Sequence, residues 1–156
     1  MDVLRSVSCL KGVSESALID FAGLLEFREA GPKEKIVEEG KPIGAFHIVF
    51  RGTAHVRRIA QKREVLLGRI GKGGFFGEVN LFDPGMATAS VYAMDQVILG
   101  SIPYPVFRDF MASHPSAGYA IVASLMTEVC HRLRTTNDRL VNFVYWSTLN
   151  ESPRKA

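Results

Sequence analysis

The sequence predicts a mainly β domain, a sandwich or a jelly-roll barrel, with helix before it and a long helix after it. Three observations carry that expectation. Between residues 31 and 103, short runs of alternating apolar residues are punctuated by glycine turns, the pattern of many short antiparallel strands. Residues 14–26 carry apolar side chains at helical spacing behind a serine. The last third repeats apolar residues at intervals of three, four and seven, the period of a helix with one sticky face. With 156 residues, 47% of them hydrophobic and 22% charged, the chain suits one soluble domain with a single core.

Taken in order, Ser14 or Ser16 caps a helix running to about Glu26, with Leu18, Phe21, Ala22, Leu24 and Leu25 as its apolar stripe. Gly31-Pro32 breaks it. Lys35 to Glu38 reads as a strand ending at Gly40. Phe46, Ile48 and Phe50 alternate up to Arg51-Gly52, and Thr53 to Arg57 is expected to pair back on them as a hairpin. Val65 to Ile70 is a further strand. Ala87 to Ala93 and Val97 to Ser101 are the last ones. Tyr104 to Ala112 forms a short helix, and Pro115 suits the first turn of a longer one. On that helix Val122, Met126, Val129, Leu133, Leu140 and Val144 form a stripe interrupted at Thr136-Asn137. The stripe is longer than a small barrel can cover, so residues 116–146 are expected to form a homodimer seam; the competing arrangement is a helix folded onto its own barrel. Residues 151–156 read as a frayed polar tail.

The most informative stretch is Gly73-Gly74-Phe75-Phe76-Gly77-Glu78-Val79-Asn80-Leu81-Phe82-Asp83-Pro84-Gly85-Met86-Ala87-Thr88-Ala89-Ser90-Val91. Glycines open a tight backbone path, one acid comes next, and a short helical turn ends at Asp83-Pro84-Gly85. Free backbone N–H groups at such a turn suit an anion, and the carboxylate suits a ribose hydroxyl. The stretch resembles the phosphate-binding cassette of the cyclic-nucleotide-binding domain family, of the catabolite-activator type. The resemblance extends over roughly residues 5–140, through the entry helix, the turns at Gly31-Pro32, Gly40 and Gly52, the cassette and two terminal helices, all in family order.

That resemblance implies a jelly-roll-like β-roll, a double-stranded β-helix, at residues 31–103, with the cassette at 73–91, N-terminal helices within 1–30 and C-terminal helices within 104–146. It implies a ligand such as cyclic AMP or cyclic GMP. Glu78 would accept from the ribose 2′-hydroxyl, the backbone around Phe76, Gly77, Glu78 and Val79 would hold the phosphate, and Thr88 and Ala89 would line it. The run His131 to Asp138 resembles the part of the long helix that caps the base, which places Thr136 and Asn137 there; a polar break that fixes helix register accounts for the same two residues. One departure stands out. Where the family pattern has the arginine that pairs with the cyclic phosphate, this chain has Ala87, and no arginine or lysine lies between Lys72 and Arg108. Lys72 or Arg132 would have to supply a cation from elsewhere.

Other chemistry finds no support in the sequence. The net charge of +3 is mild, and no apolar run approaches the ~18 residues of a membrane span. The start lacks the order of a secretory signal. His47, His55, His114 and His131 have no metal-ligand spacing. Cys9 and Cys130 form no CxxC pair and are expected as reduced thiols of a cytoplasmic protein. No catalytic grouping is recognisable. The residues after the seam are expected to be too few for a DNA-binding module. The expectation is a stand-alone regulatory domain, with no metal or cofactor and no direct DNA contact. It signals by dimer geometry or through a separate protein partner, or else serves as a ligand-free dimerisation module.

Overall fold

Two four-stranded antiparallel sheets and a set of flanking helices make up the computed structural model, which describes residues 1–150 (side chains to residue 148). The tail expected at 151–156 lies outside the described residues. Helix α1 (Asp2–Ser6), a 3₁₀ turn at Ser8–Leu10 and helix α2 (Glu15–Gly23) lead in. Ser14 is the cap of α2, its hydroxyl accepting from the Ala17 N–H at 3.4 Å. The helix stops at Gly23, short of Glu26, because Glu26–Ala30 is strand β1, paired with a later strand from Glu26 opposite Ser101 to Ala30 opposite Val97. Only Ala30 of this edge strand is buried, so its residues carry no inward alternation that a sequence reading could detect.

The next strands are β2 (Lys35–Val37), β3 (Ala45–Arg51), β4 (Ala54–Ala60), β5 (Arg63–Ile70) and β6 (Phe75–Phe76). After helix α3 (Glu78–Phe82) come β7 (Ser90–Ala93) and β8 (Val97–Pro103). One sheet runs β1-β8-β3-β6 and the other β2-β7-β4-β5, which is the jelly-roll-like β-roll expected. The hairpin expected at Gly52 is not formed. Strand β3 stays in the first sheet and β4 in the second, so the chain changes sheet at Gly52. Gly52 makes that corner with φ +84°, and a Cβ there would lie 2.5 Å from both Asp95 Oδ1 and the Gln96 carbonyl oxygen. Asp95 also accepts from the Thr53 N–H at 2.9 Å. The actual hairpin is β4–β5, closed by Gln61 and Lys62 at φ 49° and 66°, the left-handed pair that suits strand twist. Strand β7 begins at Ser90 rather than at Ala87, because the Ala87 N–H and carbonyl are drawn out to Lys41 O and Gly40 N–H, each at 2.8 Å.

Two apolar clusters hold these layers. Between the sheets lie small and β-branched residues, Ala30, Val49, Ala54, Val91, Ala93 and Val97 among them, with Leu99 and Phe76. The second cluster packs the helices on the first sheet around Phe21, Phe46, Phe75, Phe107 and Phe110, whose rings meet at centroid distances of 5.2–5.4 Å. Helix α4 (Tyr104–Ser113) and helix α5 (Pro115–Asn150) complete it. At 36 residues, α5 is about 54 Å long. It presents one face inward through Ala117, Ile121 and Leu125, all buried. The stripe of Val122, Met126, Val129, Leu133, Leu140 and Val144 lies elsewhere on its surface and is 40–59% exposed. The arrangement in which that stripe packs on its own barrel is therefore not the one observed. No described helix is long and apolar enough to cross a membrane.

Candidate functional site

Local sequence builds the cassette. Phe75 and Phe76 pair with Ile48 and His47 of β3, and sit one in each apolar cluster. Such anchoring fixes the turn after them. Gly77 takes it at φ +88°, where a Cβ would meet the Ala45 carbonyl oxygen at 2.7 Å, and its own carbonyl accepts from the buried Tyr104 hydroxyl at 2.7 Å. Burial, and then the Glu78 charge, push the Tyr104 phenol up to about 12, so it remains a donor throughout the physiological range. Helix α3 starts with Glu78. Asn80 donates its amide to the carbonyls of Gly85 and Met86 at 3.1 and 3.3 Å, folding the return loop back over the helix. Arg108 of α4 donates to the Leu81 carbonyl at 2.9 Å.

These elements, with β2, β4, β5 and one turn of α5, enclose a cavity of about 440 Å³. Of the nine candidate residues named from sequence, seven line it: Phe76, Gly77, Glu78, Val79, Ala87, Thr88 and Ala89. Thr136 and Asn137 do not; both are exposed on α5, beyond the turn that reaches the cavity. In their place α5 contributes Glu128 and Arg132, which continue the inward face of Ala117, Ile121 and Leu125. Arg69 of β5 also lines it. Lys72 does not; it lines an adjoining surface cleft with Arg69 and Arg132. Arg69 and Glu128 escaped the sequence reading. Their only signals were the register of β5 against β4, which places Arg69 opposite His55, and the spacing from Leu125 to Glu128 to Arg132 on one helix face.

The electrostatics centre on one carboxylate. Glu78 is 4% exposed, and its Oε1 is met by Nη1 of Arg132. Arg132 Nε lies 3.4 Å from Glu128 Oε1, and its guanidinium sits 5.8 Å from the centre of the Phe75 ring. The rest of the wall is largely apolar, including Val37, Ile43, Val56, Leu67, Ile70 and Val91. A mostly apolar cleft of this size with a few convergent polar groups, among them a buried acceptor for a hydroxyl donor, has the form of a small-molecule site. Ala87 lines the cavity at 6% exposed, and its position holds no cation.

The fold is a β-roll with a cavity beside its cassette. A profile of the cyclic nucleotide-binding domain family matches residues 27–114, more than half of the sequence, and the chain belongs to that family. Among curated proteins, a CRP-like cAMP-activated global transcriptional regulator of Mycobacterium tuberculosis is 28% identical over 145 residues, 92% of this chain and 63% of its own length. A cAMP-dependent protein kinase type II regulatory subunit of Drosophila melanogaster is 30% identical over 97 residues, 62% of this chain and 26% of its own. This chain thus spans less than two thirds of either relative. Among solved structures, the N-terminal domain of a transcriptional regulator from Streptomyces coelicolor A3(2) superposes with a TM-score of 0.74 at 25% identity, over 89% of this chain and 95% of that one.

Proposed function

We propose that this domain is a non-catalytic sensor. Its cavity takes a ribose-bearing ligand of the cyclic-nucleotide kind, cyclic AMP and cyclic GMP among them, with a preference altered by Ala87. The observation that carries the reading is Glu78, a buried carboxylate on the cavity wall whose partner is Arg132 of α5. A ribose hydroxyl bonding to Glu78 competes with, or joins, that guanidinium. Occupancy is thereby felt by the helix whose exposed stripe suits a second copy of the chain. In such a two-fold pair, the base-side role expected of Thr136 and Asn137 falls to the seam. Cytoplasmic location and output through dimer geometry or a partner protein belong to the same reading.

The test is calorimetric titration of cyclic AMP and cyclic GMP into the protein and into Glu78→Ala, with circular dichroism to show that the variant is folded. Losing hydrogen bonds to an ionised acceptor costs about 1.5–3 kcal/mol, roughly ten- to more than a hundred-fold in affinity. Unchanged binding in the variant would overturn the assignment of Glu78. A second reading, a ligand-free dimerisation module, is favoured by Ala87, which stands where the family pattern has the phosphate-pairing arginine. It predicts a homodimer that takes up no nucleotide or nucleoside at all.

A further inference from the structure

The charged groups around the cavity constrain what can enter it. Two acids and two bases line the wall, Glu78 and Glu128 against Arg69 and Arg132, so its formal charge is zero. The guanidinium of Arg132 is already engaged by both acids. Arg69 is exposed on β5, where water screens whatever it meets. Ala87 lines the cavity with no basic side chain, and its backbone N–H is committed to the Lys41 carbonyl at 2.8 Å. The nearby Ser90 oxygen accepts from the Glu39 N–H at 2.9 Å. A phosphate monoanion placed against Ala87, Ala89 and Val91 would lose hydration with no basic side chain on that stretch of chain to offset the loss, since none lies between Lys72 and Arg108.

The acceptor side points the opposite way. Glu78 spends Oε1 on Arg132, and among the described residues no hydrogen bond reaches its Oε2. A carboxylate oxygen has room for further donors. A 3′,5′-cyclic phosphate offers it one ribose hydroxyl, because O3′ and O5′ are esterified. A free ribonucleoside offers a 2′,3′-diol, two adjacent O–H donors, with a neutral 5′-hydroxyl in place of the anion.

We infer that the ligand of this cavity is an uncharged ribonucleoside, selected over its phosphorylated forms by the Ala87 wall and held through its diol by Glu78. The inference rests on the proposed reading that a ribose enters this site. The experiment is a calorimetric comparison, on the full chain, of the four common ribonucleosides with their 3′,5′-cyclic phosphates and 5′-monophosphates. At least one nucleoside is expected to bind tenfold or more tightly than both of its phosphorylated forms, and its 3′-deoxy analogue tenfold or more weakly than itself. Ala87→Arg is expected to reverse the order, with the cyclic phosphate gaining tenfold or more; if that variant does not fold, the order in the unmodified protein decides. Tighter binding of a cyclic or linear phosphate to the unmodified protein overturns the inference and leaves the ribose-sensing reading standing. No binding by any of these compounds removes both.

Discussion

Arg132 ties α5 to the cassette, and cutting that tie should cost a definite amount of stability. The Glu78 side chain is nearly inaccessible, at 5% exposed, whereas that of Arg132 is 48% exposed. Removing one partner of a fully buried ion pair costs about 3–5 kcal/mol, because the other charge is left without compensation. Here half of the pair is solvated, and a charge near the surface interacts through an effective dielectric constant of about 20 rather than 4. That reduces the expected loss for Arg132→Ala to about 1–3 kcal/mol, including about 0.5–1 kcal/mol from the guanidinium over Phe75. Arg132→Lys keeps the charge but cannot address Glu78 through Nη1 and Glu128 through Nε together, so it should recover only part of the loss. Glu128→Gln, which touches an i,i+4 pair with an exposed partner, should cost no more than about 0.5 kcal/mol.

The decisive measurement is a double-mutant cycle by urea denaturation on the unmodified chain, Arg132→Ala, Glu78→Gln and the double variant. The buried end of the pair predicts a coupling of about 1–2 kcal/mol between the two sites. A coupling within about 0.3 kcal/mol of zero would mean that the two side chains act independently, and α5 would then have no energetic connection to the carboxylate through which occupancy could be felt.

Two other expectations concern a half-buried histidine and the outer face of α5. Burial, and then the Arg28 guanidinium, hold the His47 imidazole down at about 4, with its Nδ1 2.7 Å from the Ser101 hydroxyl and its ring stacked on Phe76. The unfolded chain therefore binds the extra proton first, and stability should fall by up to about 3 kcal/mol as pH drops from about 6.5 to about 4. Denaturation midpoints measured across that window check it, and a His47→Gln variant with the same slope would refute it. On α5, Leu133 and Leu140 are 59% and 58% exposed on the single chain, so changing both to Glu should convert a dimer into a folded monomer. Light scattering that finds the unmodified protein monomeric at tens of micromolar, an order-of-magnitude working concentration, would count against the seam.

How much of this was legible in the sequence depended on how local each feature is. Gly77, Glu78 and the turn at Asp83-Pro84-Gly85 are specified by neighbours a few residues away, so the cassette could be read directly, and seven of its candidate residues do meet at one cavity. The sheet change at Gly52 could not be read, because a glycine between two alternating runs signals a turn without saying which sheet the second run joins. What decides it is Asp95 and Gln96, some forty residues on, which occupy the space beside that glycine. Helix α5 shows the same division. Its large apolar residues drew attention to the outer stripe, while the inner face begins with Ala117, Ile121 and Leu125 and then turns polar at Glu128 and Arg132. A periodicity argument that counts only apolar residues ends that face at Leu125. Yet a helix lying along a cavity must change from apolar to charged where it passes from core to ligand space. That change, one turn beyond the last buried leucine, marks where α5 meets the site, and it explains why Arg132 rather than Thr136 reaches the carboxylate.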